Sequence, residues 1–249
     1  MSHAVGVIPA RLASTRLPRK LLLSETGKTL LQYTWENACR AESLREVVIA
    51  ADGEEIARVA REFGARVVLT GEHPSGTDRI AEVARFALPD ADILVNIQGD
   101  EPELDPAHID RLVGSIRASG AEMATLGTPI RDREELENPS CVKIVRGDAG
   151  QALYFSRLPV PFSRDEPVEE LLAGETPFLL HIGIYAYRRD FLLRLTSMPP
   201  CRLEELEKLE QLRALSAGAR IAVDVVEQRT IGIDTPEDYA RFVARRRAA

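Results

Sequence analysis

The N-terminal part of the chain alternates short, β-branched apolar runs with amphipathic stretches, and no other feature of the sequence constrains its fold as tightly. Residues 5–8, 47–50, 66–69 and 93–97 read as strands, and residues 30–41, 54–63 and 78–86 between them carry helical periodicity. Strands that are apolar on both faces and separated by helices require a parallel sheet covered on each side. The predicted fold class is therefore α/β, a mostly parallel sheet flanked by helices.

The second half is less regular. Residues 141–145, 152–155 and 178–187 read as strands, with turns at 147–150 and a proline-rich stretch at 159–167. This pattern predicts a smaller mixed α+β insertion. A helix over 203–217, a strand over 221–226 and a final helix follow. Thr235-Pro236-Glu237-Asp238 marks the last start: threonine as N-cap, proline first, an acid third.

A length of 249 residues suits one domain with a substantial core. The net charge of −7 argues against general nucleic-acid binding. No run reaches the roughly 20 apolar residues of a membrane helix, and the N-terminus lacks a signal-peptide layout. Three widely spaced cysteines, Cys39, Cys141 and Cys201, give no disulfide framework and fit a reducing cytoplasm.

Open parallel sheets bind ligands at the carboxyl ends of their strands. The first strand runs into a loop bearing Arg11, Ser14, Thr15, Arg16, Arg19 and Lys20. It has no G-x-G-x-x-G, which disfavours a dinucleotide site, and Leu22 stands where the first glycine of a P-loop ending in Gly27-Lys28-Thr29 belongs. The basic loop could hold a polyphosphate through charge-assisted hydrogen bonds, or it could be solvated surface. The 93–97 strand ends in Gln98-Gly99-Asp100-Glu101-Pro102, where a carboxylate could carry Mg²⁺ or serve only a polar turn. Asp234, just before the last helix, is a second such carboxylate or part of that helix start.

Three further features have double readings. Ser75-Gly76-Thr77-Asp78-Arg79 is a capping box, and equally a helix start offering N–H groups, with Arg79 available to a carboxylate. Strand alternation puts Phe178, Leu180, Ile182, Ile184 and Ala186 on a core face, and His181, Gly183, Tyr185 and Tyr187 on the other. Leu206, Leu209, Leu212 and Leu215 recur every third residue, a stripe that drifts around a helix and leaves Glu210 and Gln211 partly buried or exposed.

Taken in order, these stretches resemble the 3-deoxy-manno-octulosonate (KDO) cytidylyltransferases. The resemblance is carried by Pro9-Ala10-Arg11 with Ser14–Pro18 and Lys20, by Ser75–Arg79, Asn96–Pro102, Ala152–Arg157, His181–Arg188, Leu209–Arg213 and Gly232–Asp238, and spans nearly the whole chain. It implies a Rossmann-like nucleotidyltransferase sheet that transfers CMP from CTP to KDO, with Mg²⁺ as cofactor. Arg11 and Lys20 would neutralise the triphosphate, and Ala10, Ser14, Ser75 and Gly76 would help hold the nucleotide. Asp100 and Asp234 would carry the metal. Arg79, Gln98, His181, Tyr185, Glu210 and Gln211 match the sugar-binding positions. Residues 1–130 with 218–249 would form the nucleotide core, and 131–217 the sugar-binding and dimerisation part of a homodimer. Arg19 and Leu21 replace the glycine and second proline usual in the basic loop. Rival readings are a cytidylyltransferase for 8-amino-KDO or sialic acid, and a nucleotide-binding protein whose catalytic site has decayed.

Overall fold

A computed structural model describes residues 3–228 and 231–248. One mixed sheet takes nine strands from these residues. Its first half is the expected alternation: β1 (Ala4–Ala10), α1 (Leu30–Ala38), β2 (Leu44–Ala51), α2 (Glu54–Glu62), β3 (Arg66–Leu69), α3 (Gly76–Phe86) and β4 (Ile93–Asn96). The sequence pattern assigns no element to residues 103–131, and they form α4 (Pro106–Ser119) and β5 (Met123–Pro129). Their local signals are clear in retrospect. Asp105 caps α4, Pro106 opens it, and Gly120 closes it in the left-handed region at φ 63°.

The strand order is β3-β2-β1-β4-β8-β5-β9, where β8 is Leu179–Arg188 and β9 is Ile221–Val225. The β1–β2, β1–β4, β2–β3 and β5–β9 pairs are parallel, whereas β8 runs antiparallel to both neighbours. Strand alternation divides the core between two faces. Ile8, Ile49, Ile93 and Val95 pack with α1, α2 and α4 on one side. Val7, Val48 and Leu94 pack with α3 and α7 (Arg189–Leu195) on the other.

Segment 131–217 does more than add a peripheral piece, because its β8 is an interior strand of the sheet. The rest of it is smaller and mixed: α5 (Arg133–Glu137), the β6–β7 hairpin (Lys143–Arg146, Ala152–Ser156) and α6 (Val168–Ala173). Phe178 and Leu180 join Leu136 and Leu172 in a small core there, while Ile182, Ile184 and Ala186 join the main one. Lys143 is fully buried, and its ammonium donates to the carbonyls of Asn138 (3.1 Å), Cys141 (2.5 Å) and Arg157 (2.6 Å). Burial lowers its pKa, and those carbonyls take the place of water.

The single helix expected over 203–217 is two: α8 (Arg202–Glu207) and α9 (Gln211–Ser216). Lys208 sits between them at φ 54°, a left-handed conformation in which α8 stops. Leu209 and Leu212, just after the break, are both buried in the core. α10 (Pro236–Ala248) closes the chain. Lys208→Gly removes the left-handed penalty and should stabilise the fold by roughly 0.5–1 kcal/mol in urea denaturation. A loss of stability would mean that the Lys208 side chain matters more than its backbone.

Candidate functional site

The site lies at the carboxyl ends of β1 and β4. Beyond β1, the loop from Arg11 is fixed by Asp52 at the end of β2, whose carboxylate accepts the Leu12 N–H at 3.0 Å. Leu17 anchors the far side of the loop in a small core with Leu30, Ile233, Tyr239 and Phe242. A single 3-10 turn, Lys20–Leu22, then buries Leu21 against Gly99. A Cβ on Gly99 would sit 3.2 Å from Ile8 and 3.4 Å from Leu21, so glycine lets the β4 turn approach this closely.

The turn delivers Lys20 to both expected carboxylates. Its ammonium donates to Asp100 Oδ2 at 2.5 Å and Asp234 Oδ1 at 2.9 Å. Burial works against its charge, but the two carboxylates outweigh it and the pKa of Lys20 is raised. The segments are also joined through the backbone, with the Ile233 N–H donating to Asp100 O at 2.9 Å. Asp238 accepts from the N–H groups of Asp234 (3.1 Å) and Thr235 (2.9 Å), so the predicted helix start also orients Asp234. Arg16 pairs with the other oxygen of Asp234 at 3.1 Å. Burial, then the charge of Asp100, pushes the Glu101 carboxyl up to about 8, so it adds little negative charge beside Asp100 at neutral pH.

Two adjoining cavities open from this centre. One, of about 130 Å³, is lined by Arg11, Ser14, Lys20, Gln98, Gly99 and Asp100. The other, of about 270 Å³, is lined by Arg11, His73, Ser75, Gly76, Arg79, Gln98 and Glu210. Arg11 is exposed and belongs to both, as does Gln98. Ser75 caps α3 by accepting the Asp78 N–H, as the capping box predicts. Glu210 reaches the second cavity from the α8–α9 break and accepts from the Thr77 hydroxyl at 2.8 Å.

Other expected residues stand differently. Ala10 is buried, and its carbonyl accepts the Asp52 N–H at 3.0 Å, so it supports the loop without lining either cavity. Arg79 is not free: it is buried, with Nη1 donating to the Thr70 hydroxyl and to Gly71 O. Gln211 is 5% exposed, with a buried Nε2 that finds no acceptor among the described residues. His181 and Tyr185, on β8, line neither cavity, and their rings sit 5.2 Å apart, tilted at 44°. His73, which also lines the second cavity, went unrecognised because a lone histidine three residues upstream of a helix carries no periodic or motif signal.

β8 bulges here. Thr125 faces Tyr185 and Leu126 faces Ile182, leaving Gly183 and Ile184 unpaired. The Gly183 carbonyl accepts from Gln98 at 3.1 Å, tying the bulge to the site. Thr125 Oγ1 is 2.9 Å from Ile184 O and 3.1 Å from His181 Nε2. A hydroxyl has one proton, so Thr125 either donates to Ile182 O or Ile184 O and accepts from His181 Nε2, or donates to that nitrogen. Burial drives the His181 pKa down to about 3.

Could the centre hold a metal? Asp100 and Asp234 lie within hydrogen-bonding distance of one cation, and no cluster of three or more metal-binding side chains occurs among the described residues. Two carboxylates with the remaining positions left to water and phosphate suit Mg²⁺ and do not suit a closed structural zinc site. A groove of about 1040 Å³ lies at the other end of these strands, where His3 and Asp92 precede β1 and β4. There the guanidiniums of Arg188 and Arg189 are already committed to backbone carbonyls.

A histidine neutral when folded but basic when unfolded stabilises fully above its unfolded pKa of about 6.5 and progressively less below it. Wild-type protein should therefore lose about 2 kcal/mol of stability between pH 7 and pH 5 that His181→Gln does not lose. Parallel urea curves at the two pH values test this; equal losses would show His181 to be accessible to protons in the folded state.

Known proteins share this chain's pattern. The cytidylyltransferase family profile matches residues 5–221. A 3-deoxy-manno-octulosonate cytidylyltransferase from Rhodopirellula baltica is 50% identical over 242 residues, 96% of each chain. One from Geobacter sulfurreducens is 44% identical over 247 residues, covering 97% of this chain and 98% of its own. A solved structure of CMP:2-keto-3-deoxy-manno-octonic acid synthetase complexed with CTP superposes with a TM-score of 0.91, at 38% identity over 99% of both chains.

Proposed function

The chain belongs to the 3-deoxy-manno-octulosonate cytidylyltransferase family, and on that premise we propose how its own residues perform the reaction. It is a CTP-dependent enzyme that transfers CMP to KDO, yielding CMP-KDO for lipopolysaccharide synthesis. The anomeric hydroxyl of the sugar attacks the α-phosphorus, the α–β phosphoanhydride bond breaks, and pyrophosphate leaves. The observation that carries the assignment of residues is the convergence of Asp100 and Asp234 on Lys20, beside the loop of Arg11.

In this reading Lys20 and the exposed Arg11 offset the triphosphate charge, and Arg16 adds a third cation at Asp234. Ser14 and the α3 start at Ser75 and Gly76 offer hydrogen bonds to the nucleotide, with Ala10 supporting them from beneath. Gln98, Arg79 and Glu210 face the sugar in the second cavity, Arg79 turning toward its carboxylate the part of the guanidinium other than the Nη1 that holds Thr70 and Gly71. His181, Tyr185 and Gln211 act from outside both cavities: the neutral imidazole can hold or accept a hydrogen bond but does not supply a charge. Mg²⁺ held by Asp100 and Asp234 would supply charge neutralisation on the phosphates and lower the pKa of the attacking hydroxyl.

Asp100→Ala should reduce turnover by about a thousandfold or more while leaving the urea midpoint nearly unchanged. Pyrophosphate release with KDO, 8-amino-KDO and sialic acid as parallel acceptors tests the sugar. Preference for the amino analogue would move the substrate within the same chemistry, and no release with any acceptor would leave a nucleotide-binding protein.

Two copies pair, in this proposal, through the 131–217 segment. Leu158 and Phe162 there are 69% and 90% exposed, and Leu206 of α8 is 62% exposed. Light scattering should give twice the chain mass, and Phe162→Asp with Leu158→Asp should give a monomer; a wild-type monomer would refute the pairing. We also place the enzyme in the cytoplasm, where CTP is available and its three free thiols persist; cell fractionation checks this. Among the described residues no helix is long and apolar enough to cross a membrane.

A further inference from the structure

Of the six residues 70–75 between β3 and α3, His73, Pro74 and Ser75 line the second cavity, and side chains from α3 hold the segment in place. Arg79 Nη1 donates to the Thr70 hydroxyl and to Gly71 O at 3.2 Å. One turn further on, Glu82 Oε2 accepts the Gly71 N–H at 3.1 Å and pairs with His73 Nε2. Residues 79 and 82 lie on one helix face, so a cation and an anion grip successive parts of the same loop. Thr70 is also fixed to β2, its N–H donating to Ala51 O at 2.9 Å. Past this point the Gly71 N–H finds its acceptor in the Glu82 side chain. His73 lines the cavity directly, two residues before Ser75 and three before Gly76.

We propose that Glu82 is a positioning residue for nucleotide binding: through the Gly71 amide and His73 it fixes the loop that presents Ser75 and Gly76 to CTP. Glu82 lines neither cavity, and neither motif spacing nor the resemblance singled it out. Hydrogen bonds to a carboxylate are stronger than neutral ones, and the side chains of Glu82 and His73 are only 28% and 21% exposed, so solvent competes weakly for them. Without Glu82 the Gly71 N–H and the His73 ring lose their shared acceptor, and the loop samples conformers in which Ser75 and Gly76 are displaced. CTP affinity falls, while the chemical centre at Lys20, Asp100 and Asp234 is untouched.

The proposal rests on the assignment of Ser75 and Gly76 to CTP, and its test is built to fail separately from that assignment. The Kd for CTP is measured by calorimetry on full-length wild type, Glu82→Ala, Glu82→Gln, His73→Ala and the Glu82→Ala/His73→Ala double variant, alongside KM and kcat for KDO-dependent pyrophosphate release. Glu82→Ala should weaken CTP binding and raise its KM about tenfold, with kcat changed less than about threefold. Glu82→Gln keeps an acceptor for Gly71 and should recover part of the loss. The double variant should be no worse than about the larger single loss, because both residues serve one clasp. Unchanged CTP affinity in a cooperatively folding Glu82→Ala protein would overturn the proposal, as would additive losses. If Glu82→Ala does not fold, the Glu82→Gln and His73→Ala affinities decide in the same way. Wild type that binds CTP but shows no KDO-dependent release would count against the sugar assignment and leave the clasp to be judged on Kd alone.

Discussion

One ammonium group holds this site together. Among the described residues only Lys20 forms ion pairs with both Asp100 and Asp234, and without it the two carboxylates would share no intervening charge. Asp234 is about half exposed, so the value of the contact is less in stability than in geometry. Three chain segments far apart in sequence meet there: the loop after β1, the turn after β4 and the stretch before α10. The small core of Leu17, Leu30, Ile233, Tyr239 and Phe242 packs those same segments together. Charge and packing thus enforce one arrangement, which is what a site for a highly charged ligand requires.

Around that centre the protein separates charged from neutral functions by depth. Arg11 and Arg16 stand at the exposed mouth, able to meet phosphates without a large desolvation cost. Outside the two cavities, burial leaves His181 neutral and pushes the Tyr185 and Tyr187 hydroxyls upward. Those groups donate and accept hydrogen bonds without adding charge beside a triphosphate. The β8 bulge connects the two regions, because it turns the Gly183 carbonyl toward Gln98.

Backbone irregularities accumulate near the site and each has a local use. Arg19 lies at φ 54° immediately before Lys20, where the resemblance leads one to expect glycine, and its side chain pairs with Glu55 on α2. Lys208 takes the same conformation to end α8 and bring Glu210 to the cavity. Neither could be anticipated from composition, since arginine and lysine are good helix formers and carry no turn signal.

The α/β class, the first four strands, the capping box at Ser75 and the start of α10 were determined by local sequence, because hydrophobic period and capping act over a few residues. The ordered motifs likewise named Lys20, Asp100 and Asp234. Local rules do not reach further. That β8 enters the sheet antiparallel between β4 and β5 depends on pairing across long loops, and periodicity carries no information about partners. That 203–217 breaks in two depends on the left-handed backbone at Lys208, which a helix-forming residue does not signal. That Arg79 is committed to Thr70 and Gly71, that Ala10 is covered, and that His73 and Glu82 clasp the cavity wall are outcomes of three-dimensional proximity alone. Sequence specified the chemical groups; tertiary structure decided which of them share a cavity, because charge pairing and burial are properties of neighbours in space.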